Sequence, residues 1–205
     1  MIGAGFMSIT DSLVKRRSYY KIDKNLPVST DEVIKTIEKL TELVPDAFNM
    51  KSARVIVALN DKQDKLWDTI YDAFGGKVAR EKIDSFKSGA GTILYYYDNK
   101  VVENMQKIFP TYAANFPVWA NQANGMLQIA IWSALRELNI GANIQHYNPI
   151  IDEAIKKLFN IPDSYVLIAQ MPFGGIVEEP NPKDKENISL RVDIREPPTT
   201  KVEGF

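Results

Sequence analysis

Between Thr30 and Val44 the apolar residues Val33, Ile34, Ile37, Leu40, Leu43 and Val44 recur every three or four positions, the spacing that lines one face of a helix. Ser29 with Glu32 predicts a capping box at its start, and Pro45 its end. The run NDKQDKLWDTIYDAF repeats the pattern through Leu66, Ile70 and Phe74. A shorter helix is predicted over about Ile9–Arg16, opening at Thr10 or Asp11 and closing on Lys15, Arg16 and Arg17. Three stretches read as strands instead. ARVIVAL is short and apolar enough to be buried, GTILYYYD is rich in aromatic and β-branched residues, and SYVLIAQMPFG ends at a glycine pair.

The longest apolar segment, PVWANQANGMLQIAIWSALREL, is hydrophobic nearly all round, which predicts a central helix buried on most sides. Asn115 is its candidate N-cap, with Pro117 near the first helical position, and Gly141 its candidate C-terminal breaker. Asn148-Pro149 should open another helix running to about Phe159. From Val177 the chain has four prolines, many charges and little periodicity, as an extended arm would. Helices outnumber strands without alternating strictly with them. The fold class is therefore α+β, a small mixed or antiparallel sheet wrapped by helices around a long central helix. Residues 8–176 form one domain in this reading, with 177–205 as an arm of the same domain.

Composition narrows the chemistry. A chain of 205 residues can build one good core, and a net charge of −1 gives no general attraction to nucleic acid or an anionic membrane. The absence of cysteine excludes disulfides, thiolate catalysis and cysteine-ligated metal. With a single histidine, His146, the usual zinc sites are not available and no metal site is expected. The first ten residues lack a basic run and a long apolar core, so a soluble cytoplasmic protein is the expectation.

GAGFM at Gly3–Met7 has no strand before it and no third glycine, and GAGT at Gly89–Thr92 precedes a strand rather than linking strand to helix. No nucleophile elbow exists. What remains is polar chemistry suited to a bound ligand. KRRSYY sets two arginines and a serine hydroxyl side by side, a donor set that fits a phosphate, although basic residues at a helix C-terminus also favour the helix dipole. PDAFNMKSAR is a polar loop before a strand, with Asn49, Lys51 and Ser52 as donors, or a plain helix-to-strand turn. Met126 and Trp132 read as core, whereas Phe116 and Trp119 stand at the open end of the long helix. His146 lies in GANIQHYNPI, whose Gly141, Asn148 and Pro149 suggest a tight loop able to present backbone N–H groups.

Taken in order, RRSYY, PDAFNMKSARV, DKLWD, FKSGAGTILYYYD, the long run from YAANFPVW to GANIQHYNPIIDEAI, FNIP and AQMPFG resemble the nitroreductase family of FMN-dependent oxidoreductases. The likeness is greatest to its branch of fatty-acid-repression-mutant and copper-induced nitroreductases. It covers residues 8–175, with a weaker continuation to about Arg195. The resemblance implies a homodimer with FMN sites at the subunit interface, the arm reaching onto the partner, and hydride transfer from NADH or NADPH through the flavin to a nitroaromatic or quinone. By position it assigns Arg16, Arg17 and Ser18 to the FMN phosphate and ribityl chain, with Tyr20 close by. Asn49, Lys51 and Ser52 match the loop that reaches the isoalloxazine from the other subunit, Lys51 standing where the branch usually has glutamine. Gln145 and His146 match the backbone facing flavin N5, and Phe173 and Gly174 the strand end beside the cofactor. Arg191, or its rival Arg195, is the tail's phosphate contact. Tyr112, Phe116 and Trp119 would border the acceptor pocket. No side chain is assigned a catalytic role, because a flavin carries the hard chemistry itself. Two other readings stand beside this one: a flavin-binding regulator without turnover, and a flavin-free helical interaction module.

Overall fold

The computed structural model of the chain describes residues 8–184 and residue 191. In chain order the elements are α1 (Ile9–Lys15), β1 (Ile22–Asp23), α2 (Thr30–Leu43), a single turn at Ala47–Asn49, β2 (Ala53–Leu59), α3 (Asp61–Ala73), α4 (Arg80–Lys87), β3 (Gly91–Asp98), α5 (Asn99–Ile108), a turn at Pro110–Tyr112, α6 (Phe116–Glu137), β4 (Ile140–Ala142), α7 (Asp152–Phe159) and β5 (Tyr165–Ile176). The fold is α+β, with every ladder of the sheet antiparallel.

β5 is the organising strand. It pairs with β3 along most of its length, while its last residues take both β1 (Ile22 opposite Ile176) and β4 (Gly141 opposite Gly174). β3 is flanked on both sides, and its aromatic run alternates between two cores. Ile93 and Tyr95 face the layer of α2 and α6, whereas Leu94 and Tyr96 face α3, α4 and α7. Trp67 of α3 fills the second core, its Nε1 donating to Thr92 Oγ1 at 2.9 Å. On the other side Asn124 of α6 donates to Tyr96 O at 3.0 Å, so the long helix is fixed to the sheet in register as well as by apolar contact.

Several details depart from the pattern in the sequence. α1 is capped by Ser8, which forms a reciprocal capping box with Asp11; at α2 only half of the box forms, Ser29 Oγ accepting from Glu32 N. β2 is a sheet edge and only partly buried, rather than a covered strand. Asn115 is the N-cap of α6, its carbonyl accepting from Trp119 N at 2.8 Å, but its side chain makes no capping hydrogen bond. Asn139 takes the left-handed turn after α6 (φ 58°), and Gly141 is instead a strand residue. A Cβ there would lie 2.9 Å from Tyr19 Cβ and 3.0 Å from Ile176 Cγ1. A cis peptide at Asn148-Pro149 turns the chain, and α7 begins only at Asp152. α6 is not buried all round. Val118, Met126 and Ile129 are exposed on it, so Met126 is not core within this chain. With Ile9 and Leu13 of α1 and Val44 beyond α2, the last two of these residues line an apolar groove.

Candidate functional site

The residues singled out from the sequence fall into two groups on the long helix. The first gathers where α1 ends. Ser18 forms a bridge to Ala142, and Tyr19 N donates to Ala142 O at 3.0 Å, so the turn after α1 is stitched to β4. Arg16 lies over the Trp132 ring at 4.2 Å, and Trp132 Nε1 donates to Ala142 O at 3.1 Å. Arg17 donates through Nη2 to Asn181 O. Neither arginine forms an ion pair among the described residues, and the Nε of each is buried without an acceptor. Burial first, then the charge of Arg17, holds the Arg16 pKa below the ordinary arginine value. Two adjacent cations short of acceptors make a place for an anion.

Tyr20 is half exposed and lines a cavity with Arg17 and Ser18, under the start of the tail. Its neighbour Tyr19, which the sequence did not single out, ties that tail down: its hydroxyl donates to Glu179 at 2.9 Å and accepts from Arg136 Nε at 3.0 Å. Arg191 is exposed, and the residues that would relate it to this turn lie outside the described residues, as does Arg195.

Close to β4 runs the segment holding Gln145 and His146. Gln145 N donates to Gln170 O at 2.7 Å, so that amide is committed to the sheet. His146 is exposed, and neither its backbone N–H nor its ring has a hydrogen-bond partner among the described residues. Of the two residues expected to face the cofactor, His146 alone offers a free donor. Phe173 is fully buried in the sheet core. Gly174 is packed so tightly that a Cβ would lie 2.2 Å from Asp23 O. In this chain both are therefore packed within the sheet, and neither offers a side chain to a ligand.

The second group lies towards the other end of α6. The loop Asp46–Ser52 carries left-handed backbone at Phe48 (φ 54°), Asn49 (φ 51°) and Lys51 (φ 55°), each a conformation non-glycine residues adopt at a cost of about 1–3 kcal/mol. Asp46 anchors it, Oδ2 accepting from Ser52 N at 2.8 Å and from Ser52 Oγ at 2.6 Å. Ser52 is fully buried, so it is a fastening of the loop rather than a donor to a ligand, whereas Asn49 and Lys51 are exposed. The loop also presents Phe48, which sequence reasoning missed. Its half-exposed ring stacks on Trp119 (5.7 Å, 22° between planes) and touches Phe109, Tyr112 and Phe116 at 4.8 to 5.9 Å. Phe116 is fully buried beneath this cluster; Tyr112 and Trp119 reach its surface. The only hint in the sequence was an aromatic residue next to Asn49.

Comparison with protein families matches residues 13–175 to the nitroreductase family. The chain belongs to that family. The nitroreductase FRM2 of Saccharomyces cerevisiae is 29% identical over 187 residues, spanning 90% of this chain and 95% of FRM2. The solved nitroreductase CinD of Lactococcus lactis, in complex with chloramphenicol, is 39% identical with a TM-score of 0.88, covering 92% of this chain and 100% of CinD. CinD has also been solved with 4-nitrophenol. A protein from Exiguobacterium sibiricum, solved in complex with FMN, shares the fold at 16% identity and a TM-score of 0.72, over 92% of this chain and 98% of its own. This chain is accordingly an oxidoreductase of the nitroreductase type.

Proposed function

We propose that the protein binds FMN and passes hydride from NADH or NADPH through it to a flat acceptor, a nitroaromatic or a quinone, as a homodimer with a site at each subunit junction. The observation that carries this reading is the pair Arg16 and Arg17, adjacent, in no ion pair among the described residues although Glu178 and Glu179 line the same cavity as Arg17, and with both Nε atoms buried without an acceptor there. A phosphate monoester supplies the oxygens such a pair needs, and Ser18 Oγ can add a third donor. The FMN-bound relative supports the choice of anion.

When bound, FMN would supply the two-electron chemistry. The chain holds its phosphate through Arg16, Arg17 and Ser18 and offers the His146 N–H to the ring system. Asn49 and Lys51 supply a polar donor and a positive charge, which favours the anionic reduced flavin. The aromatic surface of Phe48, Trp119 and Tyr112 excludes water and accepts a flat acceptor by stacking, in keeping with the CinD complexes.

Distance supports the dimer. Trp132, under Arg16, and Trp119, under Phe48, are thirteen residues apart on one helix, about 20 Å at the usual rise. Phosphate anchor and aromatic platform therefore stand well apart on one chain. Laying a second copy across the exposed stripe of α6 would bring the platform of one chain toward the anchor of the other and cover Ile9, Leu13, Met126 and Ile129.

Purified protein should be yellow, and heat release followed by chromatography should give about one FMN per chain. Colourless protein that takes up no added FMN would end this reading. Light scattering of the FMN-loaded protein at micromolar concentration should give twice the chain mass; a monomer with FMN fully bound would remove the shared-site arrangement.

A further inference from the structure

Gln170 is fully buried in the middle of β5, between Ala169 and Met171, positions where an apolar side chain would pack as well. A buried polar group left unpaired costs about 1–3 kcal/mol, and this amide is paired at one end only, since its Nε2 is buried without a hydrogen-bond partner among the described residues. Its main chain exchanges two hydrogen bonds with Gln145, accepting from Gln145 N at 2.7 Å and donating to Gln145 O at 2.9 Å. Its side-chain Oε1 then accepts from Tyr147 N at 2.9 Å. One residue thus holds the amides of 145 and 147 and leaves that of 146 alone. In an extended chain successive N–H groups alternate in direction, so two alternate amides drawn toward Gln170 turn the one between them away from the sheet. A second buried amide steadies the same segment from its other end. Asn143 donates through Nδ2 to Tyr19 O at 2.7 Å and accepts from Gln145 Nε2 at 2.8 Å, which joins the segment to the turn that carries the two arginines.

We propose that Gln170 is a positioning residue whose side-chain carbonyl fixes the outward direction of the His146 N–H and so aims it at the cofactor. The identity of what that N–H meets rests on the flavin reading above; the fork that directs it does not. Gln170 touches no reacting atom in this account and acts through the backbone of residues 145–147. A leucine at 170 removes the acceptor and frees Tyr147 N. A glutamate keeps an acceptor oxygen at the same reach.

The test is amide hydrogen exchange by NMR on the wild-type chain, with and without FMN, and on Gln170→Leu and Gln170→Glu. In the FMN-free wild type the Tyr147 amide should exchange at least about 10-fold more slowly than the His146 amide, as one net hydrogen bond requires. FMN should then slow the His146 amide by at least about 10-fold. Gln170→Leu should lose the Tyr147 protection and Gln170→Glu should keep it. With FMN labelled with nitrogen-15 at N5, the resonance in Gln170→Leu should move from its wild-type position toward that of free FMN, a change that loss of stability alone would not produce. A wild-type Tyr147 amide that exchanges as fast as that of His146 would overturn the proposal even if the leucine variant does not fold. An unchanged N5 resonance in a folded, FMN-bound Gln170→Leu would overturn it too. Wild-type protein that binds no FMN would sink the flavin reading, and the Tyr147 protection would still uphold or overturn the fork.

Discussion

Replacing His146 by alanine should leave the rate of flavin reduction by NADH within about tenfold of wild type, whereas His146→Pro should lower it by about 10²-fold or more. The imidazole is exposed and makes no hydrogen bond among the described residues, so it has neither an orienting partner nor a proton relay behind it. The backbone at the same position is different, because its N–H lies between two amides committed to Gln170. Alanine retains that donor. Proline deletes it and restricts φ in a segment whose path is set on both sides. Stopped-flow reduction of each FMN-loaded variant measures the two effects, with visible spectra showing that the flavin is bound. A collapse in the alanine variant with its flavin in place would make the side chain catalytic and this account of the segment wrong.

Gly174→Ala should lower stability by on the order of 3 kcal/mol or more, or about 6–12 °C in Tm for a chain of this size. The added Cβ would stand 2.2 Å from the main-chain Asp23 O of β1 and 3.1 Å from the main-chain Ala90 N just before β3. Neither can move aside as a flexible side chain would. The expected relief is separation of β1 from the end of β5, and β1 leads directly from the arginine turn. FMN affinity should therefore fall with stability. Thermal unfolding followed by circular dichroism checks this, and a melting temperature within about 2 °C of wild type would show that the strands close less tightly than described.

The sequence made legible the elements that carry their own signal. GTILYYYD and SYVLIAQMPFG are the two strands at the centre of the sheet, and the 22-residue α6 stands where its apolar run predicts. β1 and β4, of two and three residues, have no pattern of their own and exist because β5 extends past β3 to receive them. α4 and α5 went unread because each contributes few fully buried residues, Ile83 and Phe86 in one and Val102 in the other. The apolar circumference of α6 suggested burial on most sides, but burial counts every neighbour, and one chain leaves Val118, Met126 and Ile129 open.

At the candidate site the residues that act through charge were visible, since Arg16 and Arg17 are adjacent in sequence as well as in space. Those that act through distant contacts were not. Phe48 gains meaning only when α6 brings Trp119 beneath it, Asp46 only when it closes on Ser52, and Gln170 only when the chain returns twenty-three residues later to the amide of Tyr147. Ser52, Phe173 and Gly174 carried a sequence expectation too, but burial decides which side chains a ligand can reach, and in this chain all three are covered.

The claim that the two arginines are a phosphate site is tested most directly by titrating FMN and riboflavin into flavin-free wild type, Arg16→Ala and Arg17→Ala. The two ligands share the ring system and differ by the phosphate. Loss of one charge-assisted contact should cost about 1.5–3 kcal/mol, so each variant should bind FMN roughly 10–150-fold more weakly while its affinity for riboflavin changes far less. Equal losses for FMN and riboflavin would contradict the account and assign Arg16 and Arg17 to the fold rather than to the phosphate.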